Sequence, residues 1–146
     1  IRDRSVSRGL GDVYKRQYMN YQKVPTKVNE LCSQLQERLG TASTIRERYE
    51  LSFNAHLNLV TIHPWVDGNG RISRLLMNYI QFLYNLFPTK IFKEDRDGYI
   101  LALRQSQEED DNSPFLVFMA GQLKKSLSLE IERFNTSCKR GFNFLF

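Results

Sequence analysis

Apolar residues at helical spacing, cut at a few definite points, constrain this chain more than any other feature of its sequence. From Tyr18 onward they recur every three or four positions, and the runs break at Gly40, at Pro64, at Pro88 and at the cluster Asp111, Asn112, Ser113, Pro114. The first run follows Pro25 and Thr26, carries Val28, Leu31, Leu35 and Leu39 on one face, and stops at Gly40. The second reaches from about Ser43 to Ile62, with Ile45, Tyr49, Phe53, His56, Leu57 and Val60 on a broad face expected to be buried. Pro64 ends it, because the residue before a proline is pushed out of the α region. The third runs from Arg71 to about Phe87, repeats Ile72, Leu75, Leu76, Tyr79, Ile80 and Leu83, and is closed by Pro88. A short extended piece at 90–92 and two more helices, Asp95 to about Glu108 and Ser113 to about Phe134, complete the pattern. Asp111 to Pro114 has the composition of an N-terminal capping turn for the last helix. The expected fold is all-α, and the ring residues Phe82, Tyr84, Phe115 and Phe118 fall at core spacing.

A chain of 146 residues suits one domain with a single core. Its apolar stretches are interrupted by Asn, Gln or Lys, so no segment is expected to span a bilayer. The two cysteines, Cys32 and Cys138, lie far apart in no metal-ligand or redox spacing and read as free thiols of a reducing cytoplasm. The net charge of +5 is uneven: Arg2, Arg4, Arg8, Lys15 and Arg16 against Asp3 and Asp12 give +3 to residues 1–17. The remaining +2 is spread among acids, which argues against a nucleic-acid partner. Segment 1–17 has neither helical nor strand periodicity. It resembles the translated sequencing-adapter tails found at the ends of genes assembled from environmental DNA and is set aside as extraneous. The domain is then expected over 18–134, incomplete at its N-terminus, with 135–146 as a tail.

Chemistry concentrates in the loop between the second and third helices, which holds His63, Asp67, Gly68, Asn69, Gly70, Arg71 and Arg74. Two glycines around an asparagine at a helix start allow positive φ and close approach of a ligand to the backbone. The helix N-terminus that follows offers N–H groups and partial positive charge to an anion. Arg71 and Arg74 oppose the helix dipole there, a cost of several tenths of a kcal/mol each that bound phosphates would offset. Asp67 is the loop's single carboxylate, the usual protein share of a Mg²⁺ site completed by waters and phosphates. His63 closes the preceding helix, where an imidazole can take a proton from a hydroxyl nucleophile. Each piece alone is ordinary, since GNG is a common turn and a histidine before proline a common helix end. Their convergence in twelve residues fits nucleotidyl transfer. His56 lies on an apolar face and reads instead as a hydrogen-bonded core histidine.

The window His63, Pro64, Trp65, Val66, Asp67, Gly68, Asn69, Gly70, Arg71, Ile72, Ser73, Arg74 resembles the Fic family motif HPFxxGNGRxxR, with an acid at its second variable position. AHLNLVTIHP before it, LLMNYI after it and DRDGYILAL at 95–103 are also Fic-like, so the likeness covers roughly 24–127. The resemblance implies a Fic-type helical bundle with the active-site loop between two central helices. It implies transfer of AMP from ATP, with Mg²⁺, to a Ser, Thr or Tyr hydroxyl of a target protein. By matching position, His63 becomes the general base, Asp67 the metal ligand, and Gly68, Asn69 and Gly70 the anion loop. Arg71 would contact the nearer phosphates, Arg74 the γ-phosphate, and Tyr99 and Gln107 the adenine pocket. Trp65 departs from the family's Phe and demands a roomier apolar slot. At most a remnant of the family's β-hairpin flap is expected at 18–23. The family's inhibitory glutamate motif is missing: Ser126 and Glu130 have its spacing, but Ile131 follows. An inhibitory helix or a separate antitoxin is thus an expected partner. De-AMPylation, UMP, phosphoryl or phosphocholine transfer, and nucleotide sensing without turnover are the alternatives. The GNGR core argues against the kinase-like branch, whose loop carries Lys in place of the glycine before Arg.

Overall fold

The computed structural model describes residues 20–142, with side chains through 137. Segment 1–17, most of the expected flap remnant's start, the Cys138 side chain and the last four residues of the tail lie outside the described residues. After a 3₁₀ turn at Tyr21–Lys23 the order is α1 (Val24–Thr41), α2 (Ile45–Ile62), α3 (Asn69–Leu83), a 3₁₀ turn Lys93–Asp95, α4 (Arg96–Glu108) and α5 (Ser113–Phe142). No strand occurs among the described residues, and none of the helices is long and apolar enough to cross a membrane. The described part of 18–23 is therefore helical rather than a strand remnant: the Asn20 side chain accepts the Gln22 N–H at 3.0 Å and caps the 3₁₀ turn.

α2 is the central element, buried at Leu51, Ser52, Phe53, Ala55, His56, Leu57, Leu59, Val60 and Ile62. A helix covered on nearly every side must have neighbours all round it. α1 supplies Leu31 against Leu59 and Ile62, and its Leu35 and Leu39 reach the Leu51, Ala55 and Ile80 cluster. On the other side Phe53, Leu57, Val60 and Met77 pack with Tyr99, Ala102 and Leu103 of α4 and with Phe115 and Met119 of α5. Tyr84 ties the end of α3 to α1, its hydroxyl donating to the Leu39 carbonyl at 2.6 Å. Cys32 is an exposed free thiol.

Several helix limits and faces differ from the sequence reading. Ile45 is exposed because, as the first residue of α2, it precedes the point where the helix meets the core. α3 ends at Leu83, not near Phe87, because Asn85 takes a left-handed φ of 54°. The Asn85 N–H then bonds the Phe82 carbonyl at 3.0 Å and the Leu86 N–H the Gln81 carbonyl at 2.8 Å, the paired bonds of a Schellman ending. α5 continues past Asn135 to Phe142, through most of the expected tail.

The face of α3 is the largest correction. Its buried side holds Asn69, Ser73, Met77, Ile80 and Gln81, while Leu75 is 68% and Phe82 61% exposed. Ile72, Tyr79 and Leu83 are turned outward with them. Small and hydrogen-bonding side chains let α3 lie close to α2. Gln81 is fully engaged there: its amide donates to Ser52 Oγ at 3.0 Å and Thr89 Oγ1 at 3.2 Å, and its carbonyl accepts from the Thr89 N–H at 2.8 Å. Burying Gln81 is tolerated because every one of those bonds is made.

Candidate functional site

The loop 63–68 is shaped by two left-handed residues and one side-chain clamp. His63 closes α2 at φ 54° and ψ 56°, a conformation uncommon outside glycine and often found at functional positions. Its N–H still bonds Leu59 O at 3.1 Å, and its Nδ1 lies 3.4 Å from the Val60 carbonyl, which turns Nε2 outward from the helix end. Gly68 opens α3 at φ 87°, where a side chain would be strained. Directly after Gly68 the buried Asn69 clamps the loop: its Oδ1 accepts the Trp65 N–H at 3.0 Å and its Nδ2 donates to the Trp65 carbonyl at 2.5 Å. The Asn69 side chain thus shapes the loop, and only its backbone N–H faces the helix start. The N–H groups of Asn69 and Gly70 have no intrahelical acceptor. Trp65 is 44% exposed, so the larger ring lies partly outside any apolar slot.

A cleft of about 1070 Å³ opens beside this loop. His63, Gly70 and Arg74 line one wall, and Tyr99, Leu103 and Gln107 of α4 line the other. The structure thereby brings together residues read from two distant stretches of sequence. Asp67, Gly68, Asn69 and Arg71 do not line the cleft but border it. Arg71 and Arg74 part company because three residues along a helix turn the side chain by roughly 60°. Arg71 points outward and pairs with Asp67 at 3.2 Å.

Asp67 is 91% exposed at its side chain; its Oδ1 accepts the Gly68 N–H at 2.6 Å and its Oδ2 the Arg71 guanidinium. No group of three or more His, Cys, Asp or Glu gathers among the described residues. Asp67 is the residue that could hold a Mg²⁺ ion, since such a site needs only one protein carboxylate when other oxygens come from the ligand.

Lys93, Arg96 and Arg104 also line the cleft, with Glu108, and the sequence reading did not single them out. Their signal was available: Arg96, Ile100, Arg104 and Glu108 recur every four residues and form one edge of α4. The turn bearing Lys93 is anchored by α5. Gln122 accepts the Phe92 N–H at 3.1 Å and donates to Asp95 at 2.9 Å, while Lys125 reaches Asp95 at 2.7 Å and Glu94 at 3.0 Å. Those hydrogen bonds, that of Lys125 first, hold the Asp95 carboxyl below its ordinary range. Behind the cleft-lining Tyr99, His56 is fully buried and its Nε2 meets the Tyr99 hydroxyl at 2.9 Å. Burial pulls its pKa down to about 4, with the Arg74 charge acting in the same direction and the nearby Ser73 backbone against it. Gln107 donates from its amide to Thr61 Oγ1 at 2.9 Å, closer to the rim.

The comparisons with known proteins agree with this architecture. Over 75 residues the chain is 45% identical to the protein adenylyltransferase Fic of Drosophila virilis and of Drosophila melanogaster, a match covering 51% of this chain. The chain spans only 15% of the length of those curated relatives. Among solved structures, a Fic domain-containing signalling protein from Bacteroides thetaiotaomicron superimposes with a TM-score of 0.71 at 27% identity, covering 79% of this chain and 47% of that one. Fic-1 from C. elegans gives the same score and identity over 83% of this chain and 37% of its own. The profile of the Fic/DOC family matches residues 2–81, a stretch that begins within the charged N-terminal segment and takes in α1, α2, the loop and most of α3. With more than half of its residues inside that profile and the loop 63–74 among them, the chain belongs to the Fic/DOC family.

Proposed function

We propose that the chain binds ATP in the cleft between α2–α3 and α4 and transfers its AMP to a hydroxyl group of a protein. The observation that carries this reading is the shared cleft: His63 and Arg74 line it with Tyr99, Gln107 and the cations Lys93, Arg96 and Arg104. A base and a phosphate-binding arginine on one wall face an aromatic and an amide on the other, an arrangement suited to a nucleotide laid across the gap. Its relatives named as protein adenylyltransferases support the same chemistry.

In the proposed reaction His63 takes the proton of the target hydroxyl as that oxygen bonds to the α-phosphorus. The bond from the α-phosphorus to the bridging oxygen breaks, and pyrophosphate leaves with the electron pair. Arg74 and the N–H groups at the start of α3 face the charge that builds on the phosphates. Arg71 can join them by exchanging its Asp67 partner for phosphate. Asp67 is the residue that would hold a magnesium ion, which when bound neutralises phosphate charge.

The test is incubation with ATP labelled at the α-phosphate, in magnesium, with protein acceptors that include the chain itself. Covalent label is expected on protein from α-labelled but not from γ-labelled ATP. A His63→Ala variant should lose about 10²–10⁴ in rate, the contribution of a general base. Label from the γ position would assign phosphoryl transfer instead, and ATP binding without any label would make the domain a nucleotide sensor. Undiminished labelling by His63→Ala would remove His63 from the chemistry.

A further inference from the structure

The cleft has two walls, and they are unequally supported. α4 is packed tightly on α5: Tyr99, Ala102 and Leu103 share a core with Phe115 and Met119, and Ser106 Oγ accepts the Phe115 N–H at 3.1 Å. A methyl group at Gly98 would come within 3.2 Å of the Phe118 ring. Toward α2, α4 shares that same apolar core with Phe53, Leu57 and Val60 and is joined in addition by polar bonds at two depths. One is the Gln107–Thr61 bond near the rim. The other is the bond of His56 Nε2 to the Tyr99 hydroxyl, 2.9 Å long and wholly buried.

His56 is held in all directions. Its ring stacks on Phe115 with centroids 5.4 Å apart and planes within 9°. It meets Tyr99 edge-on at 5.8 Å and 71°. Its Nδ1 is buried without a hydrogen-bond partner, on a ring that lies near the Ser73 backbone and the Arg74 charge on α3. A buried ring nitrogen left unsatisfied is tolerated only where the other bonds of the group compensate. His56 therefore touches α4 and α5 directly and abuts the turn of α3 that presents Arg74. The proposed chemistry assigns it no proton to move.

We infer that His56 is a positioning residue: by bonding Tyr99 from the core behind the cleft, it fixes the α4 wall against the α2–α3 wall and so sets the cleft width open to a nucleotide base. The mechanical part of this inference stands on the contacts alone, while its consequence for base selection rests on the nucleotide reading above. A hydrogen bond enclosed in a low-dielectric core holds a distance more firmly than one at the wet rim, so of the two polar bonds the buried one governs.

The test uses His56→Phe, Tyr99→Phe and the double variant, each keeping an aromatic ring and removing the bond. Without ligand, amide hydrogen exchange over 99–107 should quicken roughly five- to tenfold in either single variant, with exchange in α1 unchanged, for the loss of one buried bond. The double variant should be no faster than the faster single one. With ligand, calorimetry should give an ATP Kd weaker by about tenfold in each variant, and a narrower preference for ATP over GTP. In His56→Phe the KM for ATP should rise while kcat holds. Unchanged exchange in α4, effects that multiply in the double variant, or an intact preference for ATP over GTP would overturn the inference. Should His56→Phe not fold, Tyr99→Phe decides it by the exchange readout, because the Tyr99 ring itself lines the cleft. A wild-type chain that fails to bind ATP would overturn the functional reading, and the exchange arm would still judge His56.

Discussion

His63 combines two properties that a substitution can separate. Its ring lines the cleft, and its backbone holds a left-handed conformation that costs an L side chain about 1–2 kcal/mol. His63→Ala removes the ring and keeps the strain, whereas His63→Gly removes both. Both variants should lose protein labelling, yet the glycine variant should be the more stable by about 1 kcal/mol in urea unfolding. Equal stability would mean that the loop relaxes out of the left-handed region once the ring is gone. His56 makes the opposite case, a histidine whose neutrality is structural. Its pKa falls from 6.5 to about 4 on folding, so the unfolded chain binds the extra proton between those values. Its contribution is complete above pH 6.5 and is lost as pH falls toward 4, on the order of 3 kcal/mol in all. The wild-type chain should therefore lose more stability than His56→Phe between pH 7.5 and 4.5, as read from paired urea titrations. Parallel losses in the two proteins would show that His56 does not titrate with unfolding.

At the scale of the element, helix existence was legible because periodicity and breakers report it directly, while ends and faces depended on contacts the pattern does not encode. α2 starts after Thr44, whose hydroxyl accepts the Glu47 N–H at 3.2 Å while the Glu47 carboxylate accepts the N–H groups of Thr44 and Ser43. Those bonds pull the Glu47 pKa to about 2. The signature T-x-x-E was present at 44–47, and Thr44→Ala should lower unfolding free energy by about 1 kcal/mol. A change below a few tenths would mean that Ser43 takes over the cap. α3 shows why the rest was hidden. Its strongest apolar row, through Leu75, Tyr79 and Phe82, faces outward, and the row that meets α2 is built from Ser73, Met77, Ile80 and Gln81. Hydrophobic patterning ranks faces by apolarity, but close helix approach here selects small and fully bonded polar side chains. Likewise the side-chain amide of Asn69 holds Trp65, a role in addition to the expected anion loop that only the folded loop defines.

In the whole molecule the cleft is a meeting of segments that sequence order keeps apart. The motif residues were legible because they lie within one loop. Arg96 and Arg104 were legible as one edge of α4, but only the packing of α4 on α5 turns that edge toward Arg74, and Lys93 lies on a turn whose place no periodicity gives. Four cations against Glu108 give the cleft a positive interior that acts on a ligand according to its charge. Affinity should then fall in the order ATP, ADP, AMP, adenosine. The screening length shrinks from about 10 Å at 0.1 M salt to about 3 Å at 1 M, so the ATP Kd should weaken steeply over that range while that of adenosine stays nearly constant. Because exposed charges act singly at about 0.2–1 kcal/mol, alanine at Lys93, Arg96 or Arg104 should weaken ATP binding only roughly two- to fivefold each. Arg74, half-buried at the start of α3 where its charge acts on His56, should be the most sensitive of the four. Calorimetric titrations of the three nucleotides and adenosine across salt decide the matter. An adenosine affinity as salt-sensitive as that of ATP would mean that salt acts on the cleft itself, through Lys125 and the Asp95 turn it holds, and not on the phosphates.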